Sequence, residues 1–389
     1  MPSSTGRLPP VLWALLFGNF VIGSGVIVVA ATLQEIASSL RTDITSAGQL
    51  ISAAALMICL GAPVFATVVA GWDRRRLLAL SLLWFGVFHG ICTLADSLGA
   101  LMPLRVLALI PPAIFTPQAA ACVGLLVPTE QRGRAITFIF VGWSLASVVG
   151  MPMASVIAGL AGWRGAFVAV AIMSLVGAAW VWRAMPDGVR PPALSRAAWR
   201  ETVRSPMLMT VLAVTVSYSA GHFVLLSYFA PYWHERIGAD ANQLALLFLA
   251  FGAFGFLGNV LMSRHIDRLG PDRAVMLALG GILVTQLIWP WGASMATAIL
   301  VCIPWAMGCF ASNSAQQARL VAMAPGLASA SIALNTSAIY AGQAMGAASG
   351  GWVIRSSGFG SLHWVGVAGL VLAMALSLRA THLARKTQA

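Results

Sequence analysis

Residues 142–167 read GWSLASVVGMPMASVIAGLAGWRGAF, and this stretch decides what kind of molecule the chain is. It holds no aspartate, glutamate or lysine, and its one arginine, Arg164, comes near the end. A helix crossing a bilayer takes about 20 mainly apolar residues, and 142–161 supplies such a run. Gly142, Gly150 and Gly159, with Ala154 and Ala158, keep the run small enough for a second helix to approach closely. Pro152 withdraws one backbone donor and kinks a helix that packing must then support.

Working outward, similar apolar stretches fall at 11–33, 47–70, 77–95, 99–124, 135–159 and 165–184, then at 207–231, 243–263, 274–292, 295–318, 329–353 and 362–380. Twelve crossings would occupy about 240 positions, close to the apolar content of a 389-residue chain that is 59% hydrophobic. Only 9% of the residues are charged, against roughly a quarter in a soluble domain. Such a composition excludes a soluble enzyme, a disordered chain and a nucleic-acid-binding module. The N-terminal MPSSTGRLPP runs into the first apolar stretch without a small-residue cleavage site, so it reads as a retained span. The five cysteines (Cys59, Cys92, Cys122, Cys302, Cys309) lie in apolar runs without CxxC spacing and read as buried thiols.

The net charge of +12 has a topological reading. With both termini in the cytoplasm, only Arg41, Arg164, Arg236 and Arg355 fall outside, Arg105 falls within a span, and every other basic residue lies inside. That asymmetry is the positive-inside rule. The one long polar stretch, 185–206, divides the chain into 1–184 and 207–389. The two parts repeat. Asp73 and Asp267, each opening a charged run, are 194 residues apart; Pro128 and Pro325 are 197 apart; Gly150 and Gly346 are 196 apart. Duplicated six-helix halves around a midplane site are a recurrent transporter plan.

The motifs carry a resemblance. RHIDRLGPDRAVML (264–277) matches the D-R-x-G-x-x-R loop of the major facilitator superfamily through Asp267, Arg268, Gly270 and Arg273. GWDRRRLLAL (71–80) keeps Asp73 and Arg74 to Arg76 but lacks the loop glycine. The 142–167 stretch, with Gly150 and Pro152, resembles the antiporter motif of the drug:proton and sugar-efflux branch, and LNTSAIYAGQAMGAASGGWV (334–353) is similar to that branch too. The resemblance covers essentially the whole chain. It implies an all-α integral membrane fold of twelve helices in two pseudo-symmetric six-helix bundles, with the first, fourth, seventh and tenth spans lining a cavity.

Arg105, in LMPLRVLALIPPAIFTPQ (101–118), is the sharpest single residue. A guanidinium inside the bilayer is expensive and turns toward a cavity or a partner, and the resemblance places it at the fourth-helix arginine implicated in proton coupling. GSGVIVVAATLQEIA (23–37) is similar to the family's first-span stretch, but Val26 stands where many relatives carry an embedded glutamate; Glu35 is retained. A proton-coupled carrier needs a group that gains and loses a proton, and the candidates are Glu35, His89 and His222. Tyr218 lies one helical turn from His222 on the seventh span. Asn19, Gln118, Asn313, Gln316, Asn335 and Gln343 are further polar groups at depth, some for the cavity and some for neighbouring helices.

The expectation is a multi-pass secondary transporter of a bacterial-type inner membrane, with proton-coupled export of a small amphipathic drug-, sugar- or nucleoside-like compound by alternating access. Arg105 would couple protonation to access, Asp73, Arg74, Asp267, Arg268 and Arg273 would latch the cytoplasmic gates, and Gly150 with Pro152 would permit bending. The partners are the solute, protons and lipid, with no nucleic acid; a monomer suffices. No enzyme constellation, metal cluster or GxxxxGK[ST] loop is visible, so no cofactor is expected. The rival readings are a proton-independent facilitator or importer, and a non-transporting receptor or scaffold.

Overall fold

A computed structural model describes residues 9–69, 71–128, 132–190 and 196–388, and among these it is helical throughout, with no strand. The breaks between apolar runs become helix starts because they supply N-cap side chains. Asp43 accepts from Ser46 N, Asp73 from Arg76 N, Ser97 from Ala100 N and Ser205 from Leu208 N. Asp240 with Gln243 and Ser294 with Thr297 close reciprocal capping boxes.

Spans 1 to 3 are Val11–Ala31, Ile44–Val68 and Arg74–Cys92. Span 4 comprises Leu98–Ala108 and Ile110–Leu126, interrupted at Leu109 just before Pro111 and Pro112. Spans 5 and 6 lie within a helical run of 47 residues, Phe138–Ala184. At 1.5 Å per residue that length is about twice a bilayer core, and it folds back at Gly162, whose φ of 70° suits glycine. Spans 7 to 10 are Pro206–Leu226, Ala241–Leu269, Pro271–Ile288 and Met295–Met323. Span 11 is Ala328–Ser357 and span 12 is Leu362–Gln388. Short helices Leu33–Ser39, Arg196–Arg204 and Phe229–Ile237 cap the bundle ends. Among the described residues this makes twelve spans, six before Met185 and six after Ser205, and the end of the molecule at Met185 and Ser205 is called here the linker end.

Span 5 carries one turn of π-helix, Ala146–Gly150, immediately before Pro152. A Cβ on Gly150 would run into Ser24 of span 1, and one on Gly346 would lie 2.6 Å from Ala220 O of span 7. Ser24 and Ala220 are themselves 196 residues apart, as the two glycines are. The repeat is therefore a repeat of close helix contacts, with span 5 on span 1 and span 11 on span 7.

The halves join through spans 2 and 11 and through spans 5 and 8. The named contacts gather at mid-depth and away from the linker end. The Tyr228 ring lies against Gly48, Gly351 faces Thr45 and Gln49, and Ser155 Oγ donates to Ala241 O over 3.2 Å. Helix Phe229–Ile237 packs on span 1 and on helix Leu33–Ser39, closing the far end.

Candidate functional site

Arg105 sits in the first part of span 4, and its residue is 1% exposed. One terminal nitrogen donates to Gly25 O (2.8 Å) and Val26 O (3.0 Å); the other lies 3.0 Å from His89 Nε2. His89 Nδ1 is 2.8 Å from Phe85 O, which can only accept, so Nδ1 carries the proton and Nε2 receives the Arg105 hydrogen. The imidazole is thereby held neutral. The Phe167 ring lies 5.7 Å from the guanidinium carbon. Spans 1, 3, 4 and 6 thus meet on one cation that, among the described residues, has no carboxylate beside it. Every acidic residue among the described ones lies in a connection, in a short end helix or in the cap or terminal turn of a span. At Val26, whose side chain offers no acceptor, the backbone carbonyl accepts from Arg105.

Asn19 lies deeper in the same half and is fully buried. Its Nδ2 donates to Ile139 O (3.1 Å), Thr116 Oγ1 donates to Asn19 Oδ1 (2.8 Å), and Trp143 Nε1 donates to Thr116 Oγ1 (3.3 Å). The second half answers with its own set. Thr215 Oγ1 donates to Asn335 Oδ1 (2.7 Å), Asn335 Nδ2 to Asn313 Oδ1 (3.3 Å), and Gln316 Nε2 to Thr215 Oγ1 (3.0 Å). Asn19 and Thr215 stand 196 residues apart, and so do Ile139 and Asn335. Spans 1, 4 and 5 and spans 7, 10 and 11 are tied by equivalent polar clusters. The sequence had singled out Asn19, Asn313, Asn335 and Gln316; it missed Thr116, Trp143 and Thr215, of which the 196-residue offset from Asn19 would have found Thr215.

Tyr218 and His222 stack with centroids 6.3 Å apart, and both are buried. His222 is walled by Phe223 and Trp305, with Cys309 Sγ 3.9 Å from its Nδ1. They face span 10 within their own half. Gln118 and Gln343 are buried on spans 4 and 11. None of the five thiols is paired in a disulfide. Among the described residues no group of three His, Cys, Asp or Glu side chains could hold a metal ion.

The charged loops differ from their sequence pairing. Asp73 is the N-cap of span 3, and its second oxygen accepts from Gly188 N over 2.6 Å. Asp267 lies in the last turn of span 8, its side chain outside the described residues, and Gly270 (φ 75°) takes the N-cap place before span 9. Arg74 turns into its own loop, donating to Val69 O and Trp72 O. Arg75 reaches Asp187 (2.7 Å) and Trp182 O (2.7 Å). In the second half the strong pair is Asp272–Arg319 at 2.6 Å; Arg319 is fully buried and also donates to Ser377 and Thr381. Arg268 and Arg273 are exposed.

Glu35 is half-buried on helix Leu33–Ser39 at the far end. Burial raises its carboxyl above the ordinary value, opposed by a backbone hydrogen bond and by the charge of His234 on the far-end helix of the other half.

The Major Facilitator Superfamily profile matches residues 15–347. A chloramphenicol efflux pump of Mycobacterium tuberculosis is 31% identical over 303 residues, covering 76% of this chain and 73% of that protein. A probable sugar efflux transporter of Mannheimia succiniciproducens is 25% identical over 354 residues, with 90% and 89% covered. Among solved structures, a bacterial homologue of the human lysosomal transporter Spinster in an inward-facing, unoccupied conformation aligns with a TM-score of 0.72 at 18% identity, over 96% of this chain and 94% of that one. A human organic anion transporter aligns with a TM-score of 0.74 at 15% identity, over 95% and 100%. With the fold, the doubled helix contacts and the matched profile in agreement, the chain belongs to the Major Facilitator Superfamily of membrane transporters.

Proposed function

We propose that this transporter exports a small amphipathic compound in exchange for protons, by opening the two halves alternately at the linker end and at the far end. The observation that carries the reading is Arg105, a buried cation whose partners are two carbonyls and a neutral imidazole. An intramembrane guanidinium of this kind is costly and marks an ion or substrate pathway. The efflux names of the relatives in M. tuberculosis and M. succiniciproducens support the direction of transport.

Of the three titratable candidates, Glu35 fits a proton cycle best. His89 spends its lone pair on Arg105, and His222 is enclosed by rings. Glu35 lies at the far-end seam, where its pKa is raised by burial. Opening that seam returns the carboxyl to water and to a lower pKa. The closed form therefore holds the proton more tightly, and acid favours closure.

The test is transport in proteoliposomes with chloramphenicol as the probe. Wild type should accumulate it under a pH gradient and exchange it without one. Arg105→Gln should keep exchange and lose accumulation, and Glu35→Gln should flatten the pH dependence. Exchange that is indifferent to the gradient in wild type overturns antiport and leaves a facilitator, the reading that Val26 favours. No flux of any tested solute would favour a receptor or scaffold.

A further inference from the structure

Between the start of span 9 and the second half of span 12 lies a cavity of about 780 Å³ at the linker end. Its walls are graded. Arg273, Thr381 and His382 stand at the shallow end, and Leu277, Met374 and Leu378 line the deeper part. Leu277 is one helical turn inward from Arg273, and Leu378 and Met374 are one and two turns inward from His382, steps of about 6 Å each. Leu277 and Leu378 are each 62% exposed, so the deep wall is apolar surface open to the membrane.

The charge at the shallow end is positive. Asp272 also lines the cavity, but its carboxylate is bound at 2.6 Å by Arg319, which is anchored on Ser377 and Thr381. The acid is thereby neutralised and fixed to the wall. Among the described residues neither Arg273 nor His382 has a side-chain partner, and both are exposed. Unspent donors above an apolar trough match an amphiphile with an anionic head and a hydrocarbon tail. Basic pockets between spanning helices recognise lipid phosphates in this way.

We infer that this groove is a binding site for one anionic phospholipid of the linker-side leaflet, its phosphodiester on Arg273 and His382 and an acyl chain along Leu277, Leu378 and Met374. A lipid seated there bridges spans 9 and 12 beside the Asp272–Arg319 pair, so occupancy should stiffen the second half.

The test is thermal unfolding of the purified full chain in detergent with phosphatidylglycerol, phosphatidylcholine or glycerol phosphate added. Phosphatidylglycerol should raise the wild-type midpoint well beyond phosphatidylcholine, and glycerol phosphate should leave it unmoved. Arg273→Gln/His382→Gln should lose most of that increment while keeping the lipid-free midpoint. Arg268→Gln, which removes an exposed charge of the same end outside the groove, should keep the increment. Native mass spectrometry of the same samples, counting retained lipids, reads occupancy even if a variant is less stable. An equal increment in the double variant, an equal loss in Arg268→Gln, an equal effect of phosphatidylcholine, or an effect of glycerol phosphate alone would each overturn the site.

Discussion

The His89–Arg105 contact can be measured by removing both partners. In Arg105→Met, Gly25 O and Val26 O keep their helical hydrogen bonds within span 1, while His89 Nε2, now without the donor 3.0 Å away, is orphaned in a buried site. An orphaned buried acceptor costs about 1–3 kcal/mol. In His89→Leu the damage falls on the cation, which keeps the two carbonyls and loses its third partner; hydrogen bonds to charged groups run at about 1.5–3 kcal/mol. The double variant leaves neither orphan and places two apolar side chains beside Phe85 and Phe167. It should therefore be about 2 kcal/mol more stable than the sum of the single effects. Reversible unfolding in mixed micelles with rising dodecyl sulfate, followed through the tryptophans, reads all four proteins. Single effects that add to within about 0.5 kcal/mol would mean that the two side chains do not interact, and the assignment of a neutral Nδ1-protonated His89 would fall with the contact.

Two further expectations use the same assay. Gly346→Val puts methyl groups where even a Cβ would sit 2.6 Å from Ala220 O and 3.0 Å from Phe223 Cβ, so it should cost about 1–3 kcal/mol through overpacking; Gly360→Ala, which meets nothing within 4 Å, should be silent. Asp43→Ala should weaken the start of span 2 by about 1 kcal/mol at neutral pH. Hydrogen bonds from Ser46 and Thr45 hold the Asp43 carboxyl below its ordinary value of 3.8. Its contribution is thus complete above that value and fades as the pH falls through the lower folded value, so the gap between wild type and variant should close in acid. A gap that stays constant would show that the charged form is not what caps the helix.

Much of the fold was legible because the bilayer demands it. Twelve apolar runs, capped by Asp and Ser at the breaks and doubled at an offset near 196, leave little freedom for another architecture. The site was legible where one residue type settles the matter. An arginine inside a span has to find acceptors, and Arg105 does. Facing was not legible. Helical spacing puts Tyr218 and His222 on one face, yet only packing decides that the face meets Phe223, Trp305 and Cys309. The apolar run ends at 318, which leaves Arg319 among the inner-side charges, whereas span 10 continues to Met323 and buries it against Asp272, Ser377 and Thr381. Reading side chains alone also hid the acceptors of Arg105. Val26 reads as the loss of a polar group, while its carbonyl supplies one. Matching Asp73 to Asp267 by spacing alone missed where the helices stop: span 2 ends at Val68 and leaves Asp73 to cap span 3, whereas span 8 runs on past Asp267 to Leu269 and leaves the cap position to Gly270.

The two halves together argue what the charge on Arg105 is for. Gly25 and Gly221 are equivalent at the 196-residue offset. The Gly221 carbonyl accepts from Gln286 Nε2 at 3.2 Å, a neutral donor on span 9, where the Gly25 carbonyl accepts from the guanidinium of span 4. His89 and Arg105 correspond by the same offset to Thr285 and Val301, and these also touch: Thr285 Oγ1 donates to Val301 O over 2.7 Å and accepts from Trp305 N over 2.9 Å. Spans 7, 9 and 10 are thus tied by amide and hydroxyl groups in the same places where spans 1, 3 and 4 are tied by a cation. Holding the helices together therefore does not require a charge. A guanidinium at the bilayer centre costs about 2.5–3.5 kcal/mol even by the milder insertion scales, and the same chain shows a neutral solution to the same geometric problem. The extra cost is accounted for if the charge acts when the halves rearrange, when hydration around spans 1 and 4 changes and a fixed cation biases where a proton can reside. A purely structural arginine has no comparable reason to differ from its neutral counterpart in the other half.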